Sequence, residues 1–155
     1  MAALLAAAFF TPAAAASEPE ARLAREMLAA VNGVRQFQGL VPLAADTRLD
    51  AAAGRHARAM AESGFFEHDA PDGTTFVDRL NEAGFRWSIV AENLAAGRED
   101  AAETLSDWMN SPGHRKNLLL TEARLAGIGH ATIANPPKDR PWRTYWVLIV
   151  GAERK

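Results

Sequence analysis

The chain is expected to fold as an α+β domain in which a small antiparallel sheet is flanked by helices. Helix-period patterns fill the earlier part, as in Leu23, Met27, Val31 and Val34. Strand-like runs are concentrated at the end, where Ala126 to Ala134 and Thr144 to Val150 are joined by a proline-rich loop over 135–141. A plain loop between successive strands implies antiparallel pairing. The last run, Thr-Tyr-Trp-Val-Leu-Ile-Val, has no polar alternation, so that strand should be covered on both faces.

The elements follow in order. Residues 1–17 are low in complexity: an apolar run from Leu4 to Phe10 precedes the small residues Ala13 to Ala16. This pattern is expected of an export signal, although its start lacks Lys and Arg, and the run is too short to span a bilayer. Glu20 to Gln38 has helical spacing and is stopped by Gly39, with Pro42 preventing its resumption. Asp46 is placed to cap a second helix that runs to about Ser63, ahead of Gly64. Asp69-Ala70-Pro71-Asp72-Gly73 reads as a sharp turn, after which Thr74 or Thr75 can cap a short helix through Glu82. A brief strand is expected around Val90 to Leu94, a helix over Asp100 to Asn110, and a helical turn over His114 to Leu120. Residues 20–152 are thus read as one domain, which suits a chain of 155 residues. There is no internal repeat.

Composition narrows the function classes. The net charge is −2 and no dense Lys/Arg cluster is present, which argues against a nucleic-acid partner. The absence of cysteine excludes disulfides, thiolate metal sites and cysteine catalysis. Of the four histidines, His56 lies on the apolar stripe of the second helix and is expected to be a core residue with one bonded nitrogen. His130 is expected to be structural or exposed. His68, just before a turn, and His114, after Ser-Pro-Gly, sit where functional side chains gather. Glu92 lies among Val90, Ala91, Leu94 and Ala95. A carboxylate there needs a partner, and an imidazole would serve; Asn93 could hold neighbouring backbone through its amide.

Taken in order, several segments resemble a bacterial member of the CAP superfamily, which includes cysteine-rich secretory proteins, insect venom antigens and plant pathogenesis-related proteins. They are Val31-Asn32-Gly33-Val34-Arg35, Gly39-Leu40-Val41-Pro42-Leu43, His56-Ala57-Arg58-Ala59-Met60, Phe66-Glu67-His68, Pro71-Asp72-Gly73, Ala91-Glu92-Asn93-Leu94-Ala95, Trp108 through Leu118, Gly127-Ile128-Gly129 and Tyr145-Trp146-Val147. The resemblance spans about Leu28 to Gly151. It implies an α-β-α sandwich and a cleft tetrad of two histidines and two acidic residues. His68, Glu92 and His114 match three of these, whereas Ser111 stands where the second glutamate would be. Asp107, Asp69 and Glu103 are other acidic residues that could approach the cleft.

The expected chemistry follows from that set. His68 and His114 could hold Zn²⁺ weakly, with Glu92 as ligand, outer-shell acceptor or base. The same three residues are the candidates for proton transfer. Ser111, before a proline and without an orienting group, is a poor nucleophile. The leading expectation is a secreted or periplasmic, non-enzymatic binding module for a lipid, peptide or envelope ligand. The alternatives are a metal-assisted hydrolase of peptide or envelope material and a purely structural envelope domain. Trp87, Trp142, Phe65 and Phe66 could line an apolar groove, although core packing is the commoner fate of such rings.

Overall fold

A computed structural model describes residues 17–136, 138–139 and 142–155. The export-signal reading of residues 1–17 therefore lies outside the described residues, apart from Ser17. Helix α1 (Glu18–Phe37) opens with Ser17 and Glu20 in a reciprocal capping box, and Pro19 sits in its first turn, where no N–H is needed. Strand β1 (Ala44–Ala45) follows. Asp46 caps α2 (Thr47–Ser63), which ends at Gly64 with φ 63°, the left-handed conformation that glycine adopts without steric penalty. Thr75 and Asp78 form a second capping box on α3 (Phe76–Glu82).

Strand β2 (Trp87–Ala96) is longer than expected at both ends. Asp100 caps α4 (Ala101–Asn110). Ser111 ends α4 and begins α5 (Pro112–Leu118), because a proline cannot continue a helix but fits its first turn. Strands β3 (Leu125–Thr132) and β4 (Thr144–Glu153) complete the order.

The sheet order is β1-β3-β4-β2. The three long strands are antiparallel, as expected. The two-residue β1 adds a parallel edge that the sequence reading did not include, pairing Ala44 with Leu125 and Ala45 with Ala126. β4 lies inside the sheet and alternates between two cores. Trp146, Leu148 and Val150 pack with Met27 and Val31 of α1, Leu105 and Trp108 of α4, and Leu118 of α5. Tyr145, Val147 and Ile149 pack with Leu49, Ala53 and Met60 of α2 and Leu80 of α3. The continuous apolar run is thus explained by helices on both faces, an α-β-α sandwich.

Two devices fix the layers. A Cβ on Gly127 would lie 2.1 Å from the Leu49 carbonyl carbon, and one on Gly129 would lie 2.2 Å from the Ala53 oxygen. Only glycine lets the α2 backbone rest directly on β3. On the other face Arg35 is fully buried and donates to the carbonyls of Val41, Leu118, Leu120 and Ala123. It ties the end of α1 to the segment after α5, its charge spread over backbone oxygens.

Candidate functional site

β2 is the outer strand of the sheet beyond β4. Its free edge is covered by side chains: Trp108 Nε1 donates to Leu94 O at 2.9 Å, and Asn117 Nδ2 donates to Glu92 O at 3.3 Å. Asn117 also donates to Asn93 Oδ1 at 2.9 Å, while Asn93 Nδ2 donates to His114 O at 3.0 Å. The two asparagines thus hold the first turn of α5 on the strand, and Asn93 fixes neighbouring backbone as its amide allows.

Across the same strand, the turn after α2 brings in His68. Its Nδ1 lies 2.9 Å from Glu92 Oε1. A carboxylate only accepts, so Nδ1 carries the proton and Nε2 is the outward nitrogen. The other carboxylate oxygen accepts from Arg79 Nη2 at 2.7 Å, and Arg79 Nη1 donates to His68 O at 2.8 Å. Arg79 also lies over the Phe76 ring at 5.5 Å. Glu92 and Arg79 form a buried pair, with side chains 2% and 4% exposed, whereas the His68 side chain is 58% exposed. The carboxylate is a fixed internal anchor that aims one imidazole outward.

The imidazoles of His68 and His114 are driven apart in basicity. The hydrogen bond to Glu92 raises His68 above its ordinary range. Burial, and then the neighbouring His68 charge, lower His114. Glu92 holds His68 and the next residue, Asn93, holds His114 O, so both histidines flank the same stretch of β2. The two rings therefore release their protons in order as pH rises, His114 before His68.

The remaining acidic residues do not complete a tetrad. Asp107 pairs with Arg98 at 2.7 Å, and Glu103 lies 3.8 Å from the same guanidinium. Asp69 Oδ1 accepts from Phe76 N at 2.9 Å. Ser111 serves as the junction of α4 and α5. Among the described residues no group of three or more His, Asp or Glu side chains is arranged to hold a metal ion. The imidazoles of His68 and His114 are the donors left for a metal, since both Glu92 oxygens are already engaged, by His68 and by Arg79. That donor set falls short of the three protein ligands usual at catalytic zinc sites.

The other expectations sort cleanly. His56 is buried and its Nε2 lies 2.8 Å from Glu67 O, the core role anticipated for it. His130 is buried, against the side of Trp146. Of the four aromatics, Phe66 and Trp142 are partly exposed and meet at 5.4 Å between ring centroids. Phe65 packs on His56, and Trp87 joins the core, so neither lines a groove as entertained. Arg79 and Asn117 were missed. Arg79 is adjacent to buried Leu80 and three residues past Phe76, and Asn117 is three residues past His114, on the same helical face.

Comparisons with known proteins agree on the family. The profile of the cysteine-rich secretory protein family (CAP) matches residues 28–150. The uncharacterized protein YkwD of Bacillus subtilis (strain 168) is 32% identical over 106 residues, 68% of this chain and 41% of that protein. The uncharacterized membrane protein YlbC of the same organism is 30% identical over 105 residues, 68% of this chain and 30% of its own length. The chain thus matches less than half of either relative. Among solved structures, an extracellular protein containing an SCP domain from Bacillus anthracis superposes with TM-score 0.75 at 25% identity, covering 91% of this chain and 45% of that one. An outer surface protein of Borrelia burgdorferi superposes with TM-score 0.73 at 22% identity, covering 84% and 92%. The second likeness is one of fold.

Proposed function

Because the chain belongs to the cysteine-rich secretory protein family, and because its cleft carboxylate is engaged on both oxygens, we propose that it works outside the cytoplasm as a binding module rather than as a hydrolase. The observation that carries this reading is the bonding of Glu92. One oxygen meets His68 and the other Arg79, at 2.9 and 2.7 Å. A general base must reach the proton it removes, and this carboxylate is 2% exposed and turned inward. What faces solvent is His68 Nε2, an acceptor in the neutral ring and a donor in the imidazolium that Glu92 favours, with the less basic His114 nearby. Two residues before His68 begins the Phe66–Trp142 aromatic pair. These features suit an amphipathic ligand: a polar or anionic group for the imidazoles and an apolar portion for the rings, as in a lipid, a peptide or an envelope component. The extracellular description of the Bacillus anthracis neighbour supports the extracytoplasmic placement, as does the apolar leader expected from the sequence. Among the described residues no helix is long and apolar enough to cross a membrane.

The test combines two measurements on the whole chain. Calorimetric titration with Zn²⁺ should give weak binding or none. Cosedimentation with vesicles of phosphatidylglycerol and with purified cell-wall sacculi should show binding to at least one, reduced in the His68→Ala/His114→Ala double variant while its circular dichroism stays native. Tight one-to-one zinc uptake accompanied by cleavage of the sacculi would overturn the reading in favour of the hydrolase.

A further inference from the structure

A concave region lies at the other edge of the sheet. It is a cavity of about 540 Å³ between α1 and α2, floored by β3 from Ala126 to His130. β1 covers only Leu125 and Ala126, so beyond these the outer edge of β3 has no strand beside it among the described residues. The bond from Ile133 N to Arg143 O shows that odd-numbered residues of this strand turn their backbone groups toward β4. Even-numbered residues turn theirs outward. Ala126 O already accepts from Asp46 N at 2.9 Å, and Ile128 N already donates to Asp50 Oδ1 at 2.9 Å. The carbonyl of Ile128 and both backbone groups of His130 then face the cavity. Small side chains on the walls, Ala21 and Ala24 of α1 and Ala51 and Gly54 of α2, keep it open.

Two side chains there lack hydrogen-bond partners among the described residues. The His130 ring is in a residue only 6% exposed, yet neither of its nitrogens has a hydrogen bond among the described residues. Burial lowers its basicity, so it offers one donor and one acceptor. A buried polar group left unmet is costly, so a ligand that meets it gains. Arg58 is half-buried at the cavity and forms no hydrogen bond or ion pair with the described residues. The other charged groups lining the space are Glu20, Arg25 and Asp50. Of these, Glu20 is bonded to Ser17 N, Arg25 lies 3.8 Å from Glu18, and Asp50 is bonded to Ile128.

We propose that this groove takes an extended peptide segment bearing a carboxylate, which adds to the outer edge of β3 as a further strand. β1 shows that the edge accepts an extended segment, in parallel, through Ala44 N to Arg124 O and Asp46 N to Ala126 O. In the same register, one residue of the incoming strand sits opposite Gly129, donating to Ile128 O and accepting from His130 N–H. Main-chain bonds supply the affinity, as in other cases of strand addition. The carboxylate, on a side chain or at the chain end, meets Arg58, and a polar side chain satisfies the His130 ring.

The experiment is affinity selection of a randomised hexapeptide library, with free and amidated carboxyl ends, on the full chain. It is followed by hydrogen exchange of the His130 amide. Selected peptides should be enriched in Asp, Glu or a free terminus and should slow exchange at His130. They should bind at least tenfold more weakly to Ala51→Phe, which fills the cavity, and to Arg58→Glu, which reverses the free charge. Circular dichroism establishes that both variants are folded, and the Arg58 variant leaves the cavity walls in place should Ala51→Phe fail to fold. Absence of any peptide enriched over the variants overturns the proposal. So does binding that survives both substitutions, or occupancy by oleate with His130 exchange unchanged.

Discussion

Replacing Arg79 with methionine removes the cation from the buried pair while keeping most of its stem volume. Two bonds are lost, to Glu92 Oε2 at 2.7 Å and to His68 O at 2.8 Å. With the Glu92 side chain 2% exposed, the carboxylate keeps only His68 as a partner. Breaking a buried pair from one side costs about 3–5 kcal/mol. Retained packing against Phe76, and an Arg79 Nε that has no partner among the described residues, place this variant near the lower figure, about 3 kcal/mol. That is a large fraction of the total stability of a domain this size. Urea unfolding at pH 7 should show the loss as a lower midpoint with unchanged slope, and the melting temperature should fall by roughly 6–12 °C. The double variant Arg79→Met/Glu92→Met should cost much less than the two single changes added together, because an apolar pair replaces an ionic one. A second readout is independent of stability. The Arg79 charge acts to lower His68, so His68 should titrate higher in Arg79→Met. A loss below about 1 kcal/mol with an unmoved His68 midpoint would refute the reasoning that a buried pair anchors the cleft.

Other outcomes follow from the same geometry. Gly129→Ala, whose Cβ would sit 2.2 Å from the Ala53 oxygen, should destabilise by about 3 kcal/mol as β3 and α2 separate. Gly33→Ala, with nothing within 4 Å, should stabilise by about 0.5–1 kcal/mol; denaturant melts of the two variants report both. Trp108→Phe leaves Leu94 O without its indole donor and should cost about 1–3 kcal/mol by the same measurement. Stability should fall between pH 7 and pH 5. His56, His114 and His130 are lowered in the fold, so the unfolded chain binds more protons and their contribution is lost as pH falls. His68, raised, opposes this, with a contribution present in acid and lost as pH rises through its folded value. Thermal melts across that range would contradict the balance if stability rose toward pH 5.

Much of the fold was legible because local rules and tertiary demands coincide. Asp46 and Asp100 cap where they stand, Gly64 ends α2 in the left-handed conformation, and the apolar run of β4 carries two cores. β1 was not legible. Two alanines just before an N-cap carry no pattern, and they become a strand only through Leu125 and Ala126. β2 was read too short because its ends, including Ser88, are partly exposed and lack a continuous apolar signal. In the candidate site, His68, Glu92 and His114 are singled out in the sequence by turns, a helix start and the family resemblance. Arg79 was passed over because an arginine on a short helix is ordinarily solvated. Its burial depends on Glu92, thirteen residues away and in another element.

The most direct measurement is an NMR titration of the His68 and His114 rings in the native chain and in Glu92→Gln. The predicted result is a His68 midpoint above, and a His114 midpoint below, the ordinary imidazole value, with His68 falling when the carboxylate is neutralised. Two rings titrating together at the ordinary value, both indifferent to Glu92→Gln, would contradict a shared cleft organised by that glutamate.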